Sequence, residues 1–336
     1  MKRLSILCIV VIAVSILAQP VHGKEAFPIN IAVEFTDHAA SAYVAKQKGW
    51  FEEEGLRPVF YNYVTGMSLA AALSKGNIQA AYMCLLPALN AFANAGVPIK
   101  VVAGTHKQGY GLVVNPEKVR SVKDLEAPGI RIGCVQVGGP ADAVLLKTIE
   151  KYGLDRNKVL SKVQRMNPPM QIMAIKMGKL DASFSPEHWP AMAEDAGFKL
   201  LLRSKDVWPG MQGSVLIVRE ELIKSHPDIV QKLVKITEKS TEWIKANREE
   251  AASIMAGQLQ VTGEKIFPIE AAETAAKLAI TSKTIRKSME RMEYTLDIDP
   301  RSVQEEIDFA VREGYIRKTF NASDIIDLRF VNGKEN

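Results

Sequence analysis

Two stretches of this chain repeat one order of elements. Residues 76–96 read GNIQAAYMCLLPALNAFANAG and residues 178–197 read GKLDASFSPEHWPAMAEDAG. Each opens on a glycine able to end a helix, passes through a short strand (IQAAYM, LDASF), turns, and enters an alanine-rich helix that stops at Ala-Gly. Beyond each Ala-Gly lies another apolar strand, IKVVA or KLLLR, and ahead of each glycine a helical stretch, MSLAAALSK or MQIMAIKM. Further upstream the match is looser: NIAVEF with AYVAKQKGWFEEEGLRPVFY against GIRIGCV with ADAVLLKTIEKYGLDRNKVL. Strands alternating with helices predict a mostly parallel sheet flanked by helices, and two copies predict two lobes of similar build.

After Ser214 the pattern changes. SVLIV reads as a strand, and helical stretches follow at Glu220–Asn247, Glu249 to Gln258, Ile269–Leu278, Thr281–Tyr294 and Arg301–Glu313, with Pro227 breaking or restarting the first. This tail is expected to wrap the first lobe, which makes the second lobe an insertion. The expected division is residues 24–108 and 214–336 for the first lobe with its C-terminal helices, and 109–213 for the second. GYGLVV and GSVLIV are the connecting strands of a hinge.

At the N-terminus, Lys2 and Arg3 precede an apolar run from Leu4 to Leu17, and Pro20 and Val21-His22-Gly23 follow. This reads as a secretory signal over residues 1–23, too short to span a bilayer. Cys8 has Leu7 before it where lipid attachment calls for a small residue. Of the formal net charge of +5, Lys2 and Arg3 leave with the signal, so the exported chain carries +3. No dense basic block marks a nucleic-acid footprint. Cys84 and Cys134 remain, too few for a disulfide framework, and are expected to be free thiols.

In open α/β sheets ligands sit beyond the carboxyl ends of the strands. Here those positions are the loops Phe35–His38, Thr65–Ser68, Met83–Pro87, Gln136–Pro140, Asn167–Pro169 and Ser185–Pro190, expected to converge on one cleft. Gly138 and Gly139 before Pro140 let a backbone approach a ligand, and the helix start behind them offers N–H groups to an anion; a plain turn is the equal alternative. Gly66, Met67 and Ser68 occupy the matching place in the other lobe, where Ser68 caps its own helix or touches ligand. Asp37 and His38 either cap and face solvent or touch ligand.

Gln108, Tyr110, Gln136 and Gln212 lie near the hinge or the cleft loops. In SPEHWP, Ser185 is a candidate helix cap and Trp189 offers an apolar face. His188 can donate to an anionic oxygen, whereas Glu187 in a cleft repels an anion, so it caps, pairs with a cation or binds an amine. Adjacent helical residues diverge too far for Glu187 and His188 to act as an acid–base pair. No two histidines stand at i,i+3 or i,i+4, so no metal ligation is expected from spacing, and no cofactor motif is present.

The segments AYVAKQKGWFEEEGL, LAAALSKGNIQAAY, PALNAFANAGVPIKVVA, VRSVKDL, MGKLDASFSPEHWPAMAEDAG and DVWPGMQGSVLIV resemble, in order, the periplasmic substrate-binding proteins of ATP-driven (ABC) importers, in the nitrate, sulfonate and bicarbonate group that includes taurine-like members. The resemblance implies a two-lobed type II clamshell that closes on a small solute and delivers it to a membrane permease and its ATPase. It implies a monomeric periplasmic receptor, not an enzyme. Related proteins on this fold include pyrimidine-synthesis and menaquinone-pathway enzymes, and a receptor signalling to a membrane kinase is a further alternative. Where family members often carry small polar residues before Pro87, this chain has Met83-Cys84-Leu85-Leu86, which points to a solute with an apolar portion, a sulfonate or carboxylate before bare nitrate.

Overall fold

A computed structural model describes residues 25–266 and 280–331. The expected signal segment and the helical stretch Ile269–Leu278 lie outside the described residues. The described strands are β1 (Phe27–Glu34), β2 (Leu56–Tyr63), β3 (Ala80–Cys84), β4 (Ile99–Gln108), β5 (Tyr110–Val114), β6 (Ile132–Cys134), β7 (Val163–Arg165), β8 (Ala182–Pro186), β9 (Lys199–Arg203), β10 (Gln212–Arg219) and β11 (Met292–Tyr294).

They form two sheets, ordered β11-β4-β10-β3-β1-β2 and β7-β6-β8-β5-β9. In the first, β1 runs parallel to β2 and β3, and β10 is antiparallel to β3 and β4. In the second, β6 runs parallel to β7 and β8, and β5 is antiparallel to β8 and β9. The two orders superimpose strand for strand, β2-β1-β3-β10-β4 on β7-β6-β8-β5-β9, so NIAVEF matches GIRIGCV, IQAAYM matches LDASF and IKVVA matches KLLLR. The fold is α/β with two sheets flanked by helices.

Central strands covered on both faces read as near-continuous apolar runs. β3 and β5 are buried at every position, while the edge strand β7 exposes Gln164 and Arg165. The chain passes from one sheet to the other at Gln108–Gly109 and returns over Ser204–Met211. Gln108 has φ 67° and Gly109 φ 91°, a left-handed kink that splits one extended run into β4 and β5. A Cβ on Gly109 would stand 2.7 Å from His38 Nε2, so glycine is required here on two counts.

The tail departs from expectation in two ways. Thr281–Tyr294 is not one helix. A helix covers Ser282–Met289, and Met292–Tyr294 then pairs with the open edge of β4, burying Met292 and Tyr294. The tail also holds both sheets' layers rather than the first alone. Thr284 donates to Asp195 at 2.8 Å, Arg156 pairs with Glu313 at 2.8 Å, and Tyr315 hydrogen-bonds Asp142. Pro227 separates two helices, Glu220–Ser225 and Pro227–Ala246, and the next helix spans Arg248–Ile266. Among the described residues no helix is long and apolar enough to cross a membrane.

Candidate functional site

All six loops singled out from the sequence reach one cavity between the sheets. From the first sheet's side come Phe35, Thr36, Thr65, Gly66, Met67, Cys84 and Pro87. From the other come Gln136, Gly139, Pro140, Pro168, Pro186 and Trp189, with Glu34, Val64, Tyr110, Val135 and Ala141 completing the wall. The walls are largely apolar, and no lysine, arginine or histidine is among the lining residues. Hydrogen bonds span the gap: Gln136 Nε2 donates to Thr65 Oγ1 at 3.2 Å, and Thr36 Oγ1 donates to the Glu187 carbonyl at 2.6 Å.

Four helices of eight residues or more begin at this cavity: Gly66–Leu73, Leu85–Ala95, Pro140–Tyr152 and Pro168–Lys176. The sequence explains each start. Thr65 caps the first, accepting the Ser68 N–H, and Ser68 completes a capping box. Pro140 and Pro168 stand where the missing N–H costs no helical bond. Helix starts carry partial positive charge, so their convergence brings positive partial charge to the cavity without a cationic side chain, opposite the one carboxyl group in its wall, Glu34.

Seven candidates from the sequence line this cavity: Gly66, Met67, Cys84, Tyr110, Gln136, Gly139 and Trp189. The others stand elsewhere, for identifiable reasons. Ser68 is occupied by the capping box, and Leu85 is fully buried in the core. Gly138 sits one residue behind the wall, facing Tyr315. Gln108 is turned away, donating to the carbonyls of Trp208 at 3.2 Å and Pro209 at 2.7 Å. Gln212 donates to the His106 carbonyl at 3.0 Å. Ser185 is not a helix cap: it donates to Gln171 Oε1 at 2.9 Å, and His188 precedes the helix Trp189–Asp195.

Asp37, His38, Glu187 and His188 are all fully buried behind the cavity. His38 Nε2 is 2.8 Å from the Gly109 carbonyl, which can only accept, so Nε2 carries the proton and Nδ1 the lone pair. Burial holds this imidazole down at about 4. Asp37 accepts from Ser288 and lies 3.7 Å from His188 Nδ1. Glu187 pairs with Arg291 at 3.2 Å, and Arg291 also pairs with Glu194. Burial pushes Glu187 up to about 8, an effect that Arg291 only partly offsets.

Sequence reasoning missed Glu34. Read as a strand residue, it is 3% exposed, and its carboxylate accepts the Cys84 N–H at 2.8 Å and faces Cys84 Sγ at 3.0 Å. Burial raises its pKa. Tyr110 Oη donates to the same sulfur at 2.9 Å, and His38 Nδ1 stands 3.9 Å from it. Burial and the adjacent carboxylate push the Cys84 thiol well up, so it is protonated and poorly nucleophilic. An acid at the end of an apolar strand, in NIAVEF, was the available signal. Cys84 and Cys134 are both unbridged.

The sequence profile of the NMT1-like family matches residues 22–258. The chain belongs to this family. It is 24% identical over 300 residues to an aliphatic sulfonates-binding protein of Bacillus subtilis, covering 86% of this chain and 82% of that one. Among solved structures it is similar to the alkanesulfonate-binding protein SsuA from Xanthomonas axonopodis bound to MOPS, with TM-score 0.73 and 17% identity, covering 91% of this chain and 100% of the other. It is also similar to the periplasmic nitrate-binding protein NrtA from Synechocystis, with TM-score 0.71 and 13% identity, covering 91% and 87%. These likenesses agree with the periplasmic-binding-protein fold of the NMT1-like chain described above.

Proposed function

We propose that this chain is the solute-binding receptor of an ATP-driven importer. It captures a small organic solute between its two lobes and delivers it to a membrane permease, after export to the periplasm by its N-terminal segment. The reading rests on one observation above all: loops from both sheets line a single cavity with apolar walls and four helix starts. The solute it fits has an apolar body and one electron-rich end, such as a sulfonate or carboxylate. The apolar body packs on Phe35, Met67 and Trp189, and the electron-rich end meets backbone N–H groups with Thr65 and Gln136. In this reading the lobes are residues 24–108 with 214–336 and residues 109–213, and the receptor works as a monomer. The names of the relatives support the receptor role, and the cavity supports the solute class.

Native mass spectrometry of freshly purified protein, followed by a thermal-shift screen of sulfonates, carboxylates, nitrate and uncharged heterocycles, tests this. A true solute at a hundred times its Kd stabilises the protein by about 2.7 kcal/mol and is recovered unchanged. Met67→Glu puts a carboxylate into the cavity wall and is expected to weaken an anionic solute at least about tenfold, roughly 1.4 kcal/mol. Chemical conversion of the bound compound by the purified protein would overturn the receptor reading. Tighter binding of an anion by Met67→Glu would overturn the solute class.

A further inference from the structure

We propose that Glu34, His38 and Cys84 form a binding site for one divalent transition-metal ion of the zinc type at the floor of the cavity. One ligand atom from each residue lies within 4.8 Å of the others, and all three residues are buried. Sγ is 3.0 Å from Glu34 Oε2 and 3.9 Å from His38 Nδ1. Ligand atoms around a four-coordinate zinc stand roughly 3.3–3.8 Å apart, so shifts of under about 1 Å close this set on an ion.

The donors are a thiol, an imidazole nitrogen and a carboxylate oxygen, the mixture that a borderline-soft divalent ion selects. The imidazole is already in the ligating tautomer, because Nε2–H is held by the Gly109 carbonyl and the Nδ1 lone pair faces the sulfur. Outer contacts fix the other two ligands. The Cys84 N–H holds Glu34, and Tyr110 Oη donates to Sγ. Two glycines leave the cluster its room: a Cβ on Gly66 would stand 2.4 Å from Glu34 Oε1, and one on Gly109 would stand 2.7 Å from His38 Nε2.

Charge points the same way. Glu34 has no cationic side-chain partner among the described residues, an unusual state for a buried carboxylate. A divalent ion neutralises it together with the Cys84 thiolate. As the sulfur–metal bond forms, the thiol proton leaves to solvent, and nothing is oxidised. Glu34 and Cys84 both line the cavity, so the fourth coordination position opens toward bound solute or water. The site stands independently of the receptor reading.

Cobalt(II) and zinc(II) titration of the chelator-treated full-length protein tests it. The expected result is one equivalent of cobalt bound, with a thiolate-to-cobalt charge-transfer band in the near ultraviolet that zinc abolishes. Cys84→Ser loses the band and Cys134→Ser keeps it. Tyr110→Phe, which leaves all three ligands in place, weakens zinc binding by roughly 10–100-fold. Absence of a stoichiometric site in the wild type overturns the proposal, as does a band that survives Cys84→Ser or vanishes in Cys134→Ser. Circular dichroism of each variant confirms that it is folded, and Tyr110→Phe decides the matter if Cys84→Ser is not.

Discussion

Each lobe ends a central strand on an acid–histidine pair, Asp37-His38 after β1 and Glu187-His188 at the end of β8, and the two pairs meet behind the cavity. They are held by different means. In the first, the imidazole is hydrogen-bonded to Gly109 and the acid to Ser288. In the second, the acid is held by the Arg291 guanidinium, and neither ring nitrogen of His188 has a hydrogen-bond partner among the described residues. One pair is tied by neutral hydrogen bonds to the interlobe crossing and to Ser288 of the tail, and the other is tied by charge to Arg291 of the tail. The pairs stand at different places in the duplicated frame, one after β1 and one after β8, the counterpart of β3, and the tail supports the first through a hydroxyl and the second through a charge.

Breaking the charged support should have the largest effect. Above about pH 8, where Glu187 is ionised in the folded chain, Arg291→Met leaves Glu187 and Glu194 without their guanidinium partner and is expected to cost about 3 kcal/mol in denaturant unfolding, with Glu187→Gln added to it recovering part of the loss. An unchanged unfolding midpoint would show that Glu187 needs no counter-charge.

The second effect is an opposite response to pH. Glu187 holds its proton up to about 8 in the folded chain against 4.5 in the unfolded one. The folded state therefore binds more protons, and this contribution to stability is present in acid and lost as pH rises through that window. His38 titrates near 4 when folded against 6.5 when unfolded, so its contribution is present above that range and lost as pH falls through it. Stability measured against pH should show Glu187→Gln differing from wild type in slope on the alkaline side, and His38→Phe on the acid side. His38→Phe also loses the bond to Gly109, about 2 kcal/mol near neutrality. Parallel curves for wild type and both variants would remove the contrast.

The smallest effect is expected at His188. With no hydrogen bond to lose, His188→Phe should change stability by less than about 1 kcal/mol. A cost as large as that of His38→Phe would mean that the 3.7 Å approach to Asp37 is a working ion pair.

The alternation of strands and helices was legible because the central strands are covered on both faces and each helix start carries its own local signal, Thr65, Pro140 or Pro168. Convergence of the six loops followed from that frame. The rest depended on partners distant in sequence. Glu187 could be read as an acid needing a cation, but Arg291, a hundred residues on in the tail, was inside a stretch read as one helix through Tyr294. That stretch gives up its last turn to pair with β4, a choice made by an open sheet edge and not by local propensity. Ser185 carries a good capping residue's chemistry, yet Gln171 claims its hydroxyl. Glu34 escaped notice because a single acid in an apolar strand gains its meaning only when Cys84 and His38 fold against it.

Backbone amides do not titrate. A chamber that draws its guest with the openings of four helices, and with no lysine, arginine or histidine in its wall, has no cationic charge to lose between mildly acidic and mildly alkaline water. The surrounding frame, braced by buried acids and imidazoles, slackens at both ends of that range. The pull of the helix openings is thus steady where the scaffold is not, and Glu34 is the one carboxyl group of the wall through which the medium reaches the guest.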